Sequence, residues 1–306
     1  MEFLEVFYVE FVPFFLFTVM MAMGLALTVQ DLRKVFSRPR GIIGGLSTQL
    51  IVLPLLGIGF GLLYGSPPVI AAGAIILCAC PGGVTSNAYT FSAKADIALS
   101  IGLTIVASLI TVFTIPFLTL FALDLHLDRS DIPDLSALDM IWTLSQFTLV
   151  PVALGLAFRA WQPGLAKKLV EPLRVIALVA LIIIAIIGTI SAWDTIVANI
   201  WTAGLLMATI NFVAMSIGYG LGNLLRLPFT QMASITFEVG VQNLSMALFV
   251  CLTFLKSSDL AVATFVYAFF MKITALSFVW YVRKRLAARD SLLNCHRPPQ
   301  RVTAIK

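Results

Sequence analysis

The sequence predicts an all-α polytopic membrane protein with nine transmembrane helices, and three observations lead there. Of 306 residues, 60% are apolar and only 11% charged, against about 25% charged in a soluble domain. The mean hydropathy is +1.00, which leaves too few polar side chains to cover a soluble exterior. The apolar residues also fall in long runs, and two of those runs are interrupted by helix breakers beside polar groups.

About 20 apolar residues cross the hydrocarbon core. Nine stretches come within a few residues of that length: 6–28, 42–64, 69–92, 96–121, 138–158, 173–191, 199–224, 231–255 and 259–282. Glu2, Glu5 and Glu10 stand where a cleavable signal would carry basic residues, so the first stretch is expected to remain as a span. Lys and Arg in the connections set the orientation. Arg33, Lys34, Arg38, Arg40, Lys94, Arg159, Lys167, Lys168, Arg174, Arg226 and the basic residues from Arg283 to Lys306 share one set of connections. The alternate set holds only Arg129 and Lys256, beside the acidic run Asp124, Asp128, Asp131 and Asp134. This places the C-terminus in the cytoplasm and the N-terminus outside a plasma (inner) membrane. Residues 286–306 form a basic tail expected to rest on anionic headgroups of the membrane lipid.

Other function classes fit poorly. The net charge of +5 is spread over short loops, not massed, so no nucleic acid partner is expected. Cys78, Cys80, Cys251 and Cys295 show no CxxC spacing and read as packing residues. No HExxH and no paired intramembrane aspartates occur, and His126 and His296 lie outside the spans, so the chain is not expected to be an enzyme.

Spans three and eight differ from the rest. The third contains Cys80-Pro81-Gly82-Gly83 followed by Val84-Thr85-Ser86-Asn87, and the eighth contains Glu238-Val239-Gly240-Val241-Gln242-Asn243. Proline and paired glycines break helices. In lipid, the freed backbone groups are tolerated only where protein or a water-filled cavity satisfies them. The two breaks lie five spans apart, so they run in opposite senses. That predicts an inverted repeat whose first copy lacks its opening helix, the arrangement that marks a secondary transporter's site.

Glu238 is the only acidic residue well inside a span, where an unpaired carboxylate costs at least a few kcal/mol. One carboxylate among neutral oxygens suits a monovalent cation better than Mg2+ or Ca2+, which recruit more carboxylates. Sodium is the natural candidate, with Gln49, Ser86, Asn87, Ser100, Thr104 and Gln242 as neutral donors. Ser100 and Thr104 share one helical face.

Three stretches carry a resemblance: SRPRGIIGGLSTQLIVLP at 37–54, CPGGVTSNAYTFSAKADIALSIGLT at 80–104 and FEVGVQN at 237–243. They resemble the bile acid:sodium symporter family, over nearly the whole chain to about residue 285. The resemblance implies a single transmembrane unit, 1–285, in which a core (42–121 and 199–282) rocks against a panel (6–28 and 138–191) by alternating access. It implies two Na+ ions, one held by Ser86, Asn87, Ser100, Thr104 and Glu238. The other would use Gln49, Glu238, Gln242 and the carbonyls of Val239 and Val241. It also implies an organic anion, bile-acid-like or a small carboxylate, near Asn243 and the amides of Val84 and Thr85, where a helix N-terminus favours negative charge. A monomer is expected.

Lys272 departs from the family, whose members usually carry a neutral polar residue there. Three readings stay open. Lys272 is the counter-charge of the anion; or it pairs with Glu238 in place of a coupling ion, giving a sodium-independent or proton-linked carrier; or it snorkels to the cytoplasmic surface.

Overall fold

The structure is a computed structural model that describes residues 7–28, 30, 38–127 and 136–295, with side chains to 289. Among the described residues, seven helices are each long and apolar enough to cross a membrane. They are α1 (Phe7–Ala26), α2 (Pro39–Leu63), α5 (Ile97–His126), α6 (Ala137–Trp161), α7 (Pro163–Ser191), α9 (Ile200–Leu224) and α12 (Ser258–Cys295). A short α8 (Trp193–Ala198) links α7 to α9.

The two remaining predicted spans are each a pair of shorter helices. Span three is α3 (Pro68–Ala79) and α4 (Val84–Ser92); span eight is α10 (Phe229–Gly240) and α11 (Leu244–Phe254). At 1.5 Å per residue none of the four reaches the roughly 30 Å of a bilayer core, and each pair end to end does. The first break follows from local chemistry. Cys80 precedes a proline and is extended (ψ 154°), as is Gly83 (φ −87°, ψ 158°). In the second, Val241 leaves the helix, and the Asn243 side chain caps α11 by accepting from Met246 N–H at 3.2 Å.

All residues of 70–83 and 232–252 are buried. Helices apolar on every side belong at the centre, and here α2, α3, α5, α9, α10 and α12 pack about the two breaks. A second group, α1, α6 and α7, packs on itself and meets the first through α6 on α5, α7 on α12 and α1 on α11. Its seam is close: a Cβ on Gly24 would lie 2.4 Å from Val152 O, and one on Gly155 2.7 Å from Leu25 N. Small residues at such a seam let backbones approach where no hydrophobic force draws helices together. Large apolar side chains such as Phe14, Leu55, Phe117, Trp142 and Ile186 cover the outside.

The turns repeat between the two halves. Among the described residues, positive φ occurs at Gly65, Lys94, Arg226 and Lys256. Gly65 and Arg226 precede the Pro67 and Pro228 that start the broken spans, while Lys94 and Lys256 follow those spans.

Two helices outrun the predicted spans. Span six was expected from 173, yet α7 starts at Pro163 and continues through Pro172. Proline at the first helical position is favourable, and the added turns carry exposed Lys167, Lys168 and Glu171. Span nine was expected to end at 282, whereas α12 runs on through its basic turns. Glu2, Glu5, Arg33, Lys34, the acidic run from Asp128 to Asp134 with Arg129, and the tail beyond Cys295 lie outside the described residues.

Candidate functional site

The broken helices cross at their breaks and pair there. Gly83 N–H donates to Val241 O and Asn243 N–H to Pro81 O, both at 2.9 Å, around an antiparallel bridge between Gly82 and Gln242. Each break thus satisfies groups the other has freed. The Gly240 carbonyl, at the end of α10, accepts from Asn211 Nδ2 (2.9 Å) and Tyr267 Oη (3.0 Å). Thr274 Oγ1 then donates to Asn211 Oδ1 at 2.6 Å.

Glu238 lies beside this crossing and is 1% exposed. Ser86 Oγ and Ser100 Oγ donate to its Oε2 at 2.6 and 3.3 Å, and Thr104 Oγ1 donates to Oε1 at 2.6 Å. Three hydroxyls from α4 and α5 therefore converge on one carboxylate from α10. No side chain fits between: a Cβ on Gly82 would sit 2.1 Å from Glu238 Oε1. Ser86 Oγ also faces Gly83 O (2.7 Å) and Thr104 Oγ1 faces Ser100 O (3.1 Å). A hydroxyl has one proton and two lone pairs. These two can aim the proton at the carboxylate, or turn it to a carbonyl and offer lone pairs to a cation.

Two buried oxygens near the crossing lack a hydrogen-bond partner, Asn87 Oδ1 and Gln49 Oε1. Asn87 Nδ2 faces Thr104 Oγ1 at 3.4 Å. Gln49, 2% exposed, sits in a π-helical turn of α2 and donates through Nε2 to Cys80 O (2.8 Å) and Gln242 Oε1 (2.9 Å). Gln242 Nε2 in turn donates to Val239 O at 2.5 Å. Single-turn π segments often mark functional positions. Unpaired buried polar atoms are costly and uncommon, and both of these are acceptors of the hard-oxygen kind. No group of three or more His, Cys, Asp or Glu gathers among the described residues, so the donor set is one of neutral oxygens around a single carboxylate.

The structure thus draws Gln49, Ser86, Asn87, Ser100, Thr104, Glu238 and Gln242 together. The carbonyls of Val239 and Val241 each accept a bond already, from Gln242 Nε2 and Gly83 N–H, and each retains a lone pair. The anion group is more scattered. Val84 is half-buried and Thr85 exposed, on the side of α4 away from Ser86 and Thr90. Asn243 is buried and its Oδ1 is committed to capping α11. Lys272 is exposed. The α12 face that meets the crossing carries Tyr267, Thr274 and Phe278, and at 100° per residue Lys272 lies roughly 130° round from it. The ion pair with Glu238 is therefore not formed; the carboxylate is met by hydroxyls. Sequence reading missed Thr90, Asn211, Tyr267 and Thr274. The one available signal was a polar group within an apolar run.

The model of the sodium bile acid symporter family matches residues 13–199. An uncharacterized sodium-dependent transporter of Bacillus subtilis, YocS, is 30% identical over 241 residues, covering 76% of this chain and 71% of that protein. The human ileal sodium/bile acid cotransporter is 27% identical over 228 residues, 74% of this chain and 64% of its own. A probable chloroplastic sodium/metabolite cotransporter of Oryza sativa is 28% identical over 228 residues, 73% of this chain and 54% of its own. The chain thus spans less than two thirds of the length of the last two.

Proposed function

This chain belongs to the sodium bile acid symporter family, and we propose that it is a secondary transporter that moves an organic anion inward with sodium. The observation that carries the reading is the buried Glu238 carboxylate, ringed by hydroxyls of the other half of the chain at the crossing. A cation there gains the carboxylate and the Ser86, Asn87, Ser100 and Thr104 oxygens. The orphaned Gln49 Oε1 supports a second cation shared with Glu238, Gln242 and the Val239 and Val241 carbonyls. One carboxylate then offsets part of two positive charges.

The helix α4 connects ion to anion. Ser86 and Thr90 face the carboxylate side, while Thr85 and Ala88 are exposed on the other. Cation binding on one face fixes the helix whose N-terminal amides, at Val84 and Thr85, meet the substrate on the other. Lys272 completes that side as counter-charge. It shares a stripe of α12 with Arg283, which donates to Ser92 O at the end of α4. Three turns up, roughly 16 Å, Lys272 comes level with the start of α4. An exposed cation at that depth is tolerated facing a water-filled cleft.

In this reading the nine predicted spans cross the membrane as an inverted repeat. The crossing helices form a core that rocks against α1, α6 and α7, with the C-terminus cytoplasmic. A bile-acid-like or small carboxylate anion is the substrate class.

The test needs no substrate. Sodium, with potassium as control, is titrated against the thermal stability of purified wild type and Glu238→Ala. A ligand at 100 times its dissociation constant adds about 2.7 kcal/mol. Sodium-specific stabilisation that vanishes in Glu238→Ala is expected; a wild type indifferent to sodium at every concentration ends the symport reading.

A further inference from the structure

A polar column leaves Glu238 along two helices at once. On α10, Thr230, Ser234 and Glu238 recur every fourth residue; on α5, Asp96, Ser100 and Thr104 do the same. Each set therefore holds one helical face, and the two faces meet. Below the carboxylate, Thr90 Oγ1 of α4 donates to Ser100 Oγ at 3.2 Å. One rung further, Ser234 Oγ donates to the Asp96 carbonyl (2.9 Å), which also accepts Ser100 N–H (3.1 Å). Asp96 N–H donates to Thr230 O at 3.2 Å. Thr90, Ser100 and Ser234 are wholly buried. The column ends at the Asp96 carboxylate, which caps α5 through Leu99 N–H and meets Arg38 Nη1 at 2.5 Å. Arg38 is 32% exposed and Asp96 11%, so the column leads from the dry interior to solvent.

The opposite end of the molecule offers a control. Asp259 follows the positive-φ Lys256 into α12, as Asp96 follows Lys94 into α5. Its carboxylate is met by a neutral group, Thr195 Oγ1 at 2.6 Å. Asp259 lies inside the first turn of α12, and the residue that caps this helix as Asp96 caps α5 is Ser257, whose Oγ accepts Leu260 N–H at 3.3 Å. Of these two caps, the one beneath Glu238 carries a charge and is closed by a cation. Packing alone does not require that difference. Oxygens about one helical turn apart form the kind of stepped, multi-site path that conducting proteins use for partly dehydrated monovalent cations.

We propose that this column is the coupling cation's route between Glu238 and the Arg38 end of the molecule, with Asp96 a transient cation station and Arg38 the charge that closes it. The proposal rests on Glu238 being a cation site. An ion arriving at Asp96 displaces the Arg38 guanidinium, and the like charge of Arg38 then favours its departure to solvent.

The experiment measures release of 22Na+ from purified, bead-immobilised protein after dilution, alongside the sodium-dependent thermal shift. Asp96→Asn removes the charge and keeps the cap, since Asn caps as well as Asp. It is expected to slow release about threefold to fivefold, the range set by losing one semi-exposed charge interaction, while the thermal shift survives. Arg38→Gln is expected to speed release by a similar factor, and Ser234→Ala to slow it. Release at the wild-type rate in all three overturns the proposal. So does loss of the thermal shift in Asp96→Asn, which would make the residue a buttress of the Glu238 site. Wild type that neither binds 22Na+ nor gains stability is a different failure, that of the cation site itself.

Discussion

The two breaks share a backbone and differ in what they carry. Both break a buried helix over a few residues, and each hands the other one amide and one carbonyl. About the bridge, Gly82 stands where the second break has Gln242, and Cys78 stands where it has Glu238. The first break is thus kept empty and the second is loaded. The emptiness has a purpose, because the space beside Gly82 is where the Glu238 carboxylate lies. The two breaks match in backbone and one of them carries a charge; burying a second carboxylate beside the first would be costly.

The comparison can be broken most directly at its loaded side. Glu238→Gln should abolish sodium-specific stabilisation, about 2.7 kcal/mol at saturating sodium, while leaving the sodium-free protein no less stable, since a buried charge is removed. Melting curves with and without sodium check both parts. On the empty side, Gly82→Ala drives a methyl into the carboxylate, and an overpacked site of this kind costs about 1–3 kcal/mol. Lower melting temperature together with a weakened sodium response is expected; unchanged behaviour would mean the two breaks are interchangeable. Asn211→Leu removes one of the two donors on Gly240 O and one acceptor of Thr274, whose hydroxyl keeps the Phe270 and Met271 carbonyls, for a loss of about 1 kcal/mol with sodium selectivity kept. Smallest is Lys272→Asn, whose stability should stay within about 0.5 kcal/mol of wild type and whose sodium response should be unchanged. Its effect should appear in the affinity for taurocholate or a small carboxylate, followed by uptake into proteoliposomes.

The breaks were legible because their causes are local: proline, paired glycine and an intramembrane carboxylate announce themselves in a few residues. Ser100 and Thr104 were legible through spacing, and Gln49 as a neutral oxygen donor for a cation beside Glu238. Asn211, Tyr267 and Thr274 were not, because a lone polar residue in an apolar run carries no mark of the direction it faces. That direction is set by how α9 and α12 are rotated against α10. The same rotation decides against the Glu238–Lys272 pair, one of the three readings that the sequence left open. The start of α7 and the end of α12 were misjudged for another reason. Hydropathy marks where a membrane would end, and a helix is free to continue past it.

The crossing also constrains how the protein is made. Pro81 and Gly83 leave the ribosome long before Val241 and Asn243, the residues that satisfy them. At about 5–20 residues per second the delay is on the order of ten to thirty seconds. Through that interval the first break holds an amide and a carbonyl without their final partners, in a segment too broken to rest in lipid by itself. The first half of the chain must therefore wait beside water or the insertion machinery, and the second half completes its folding as well as its own.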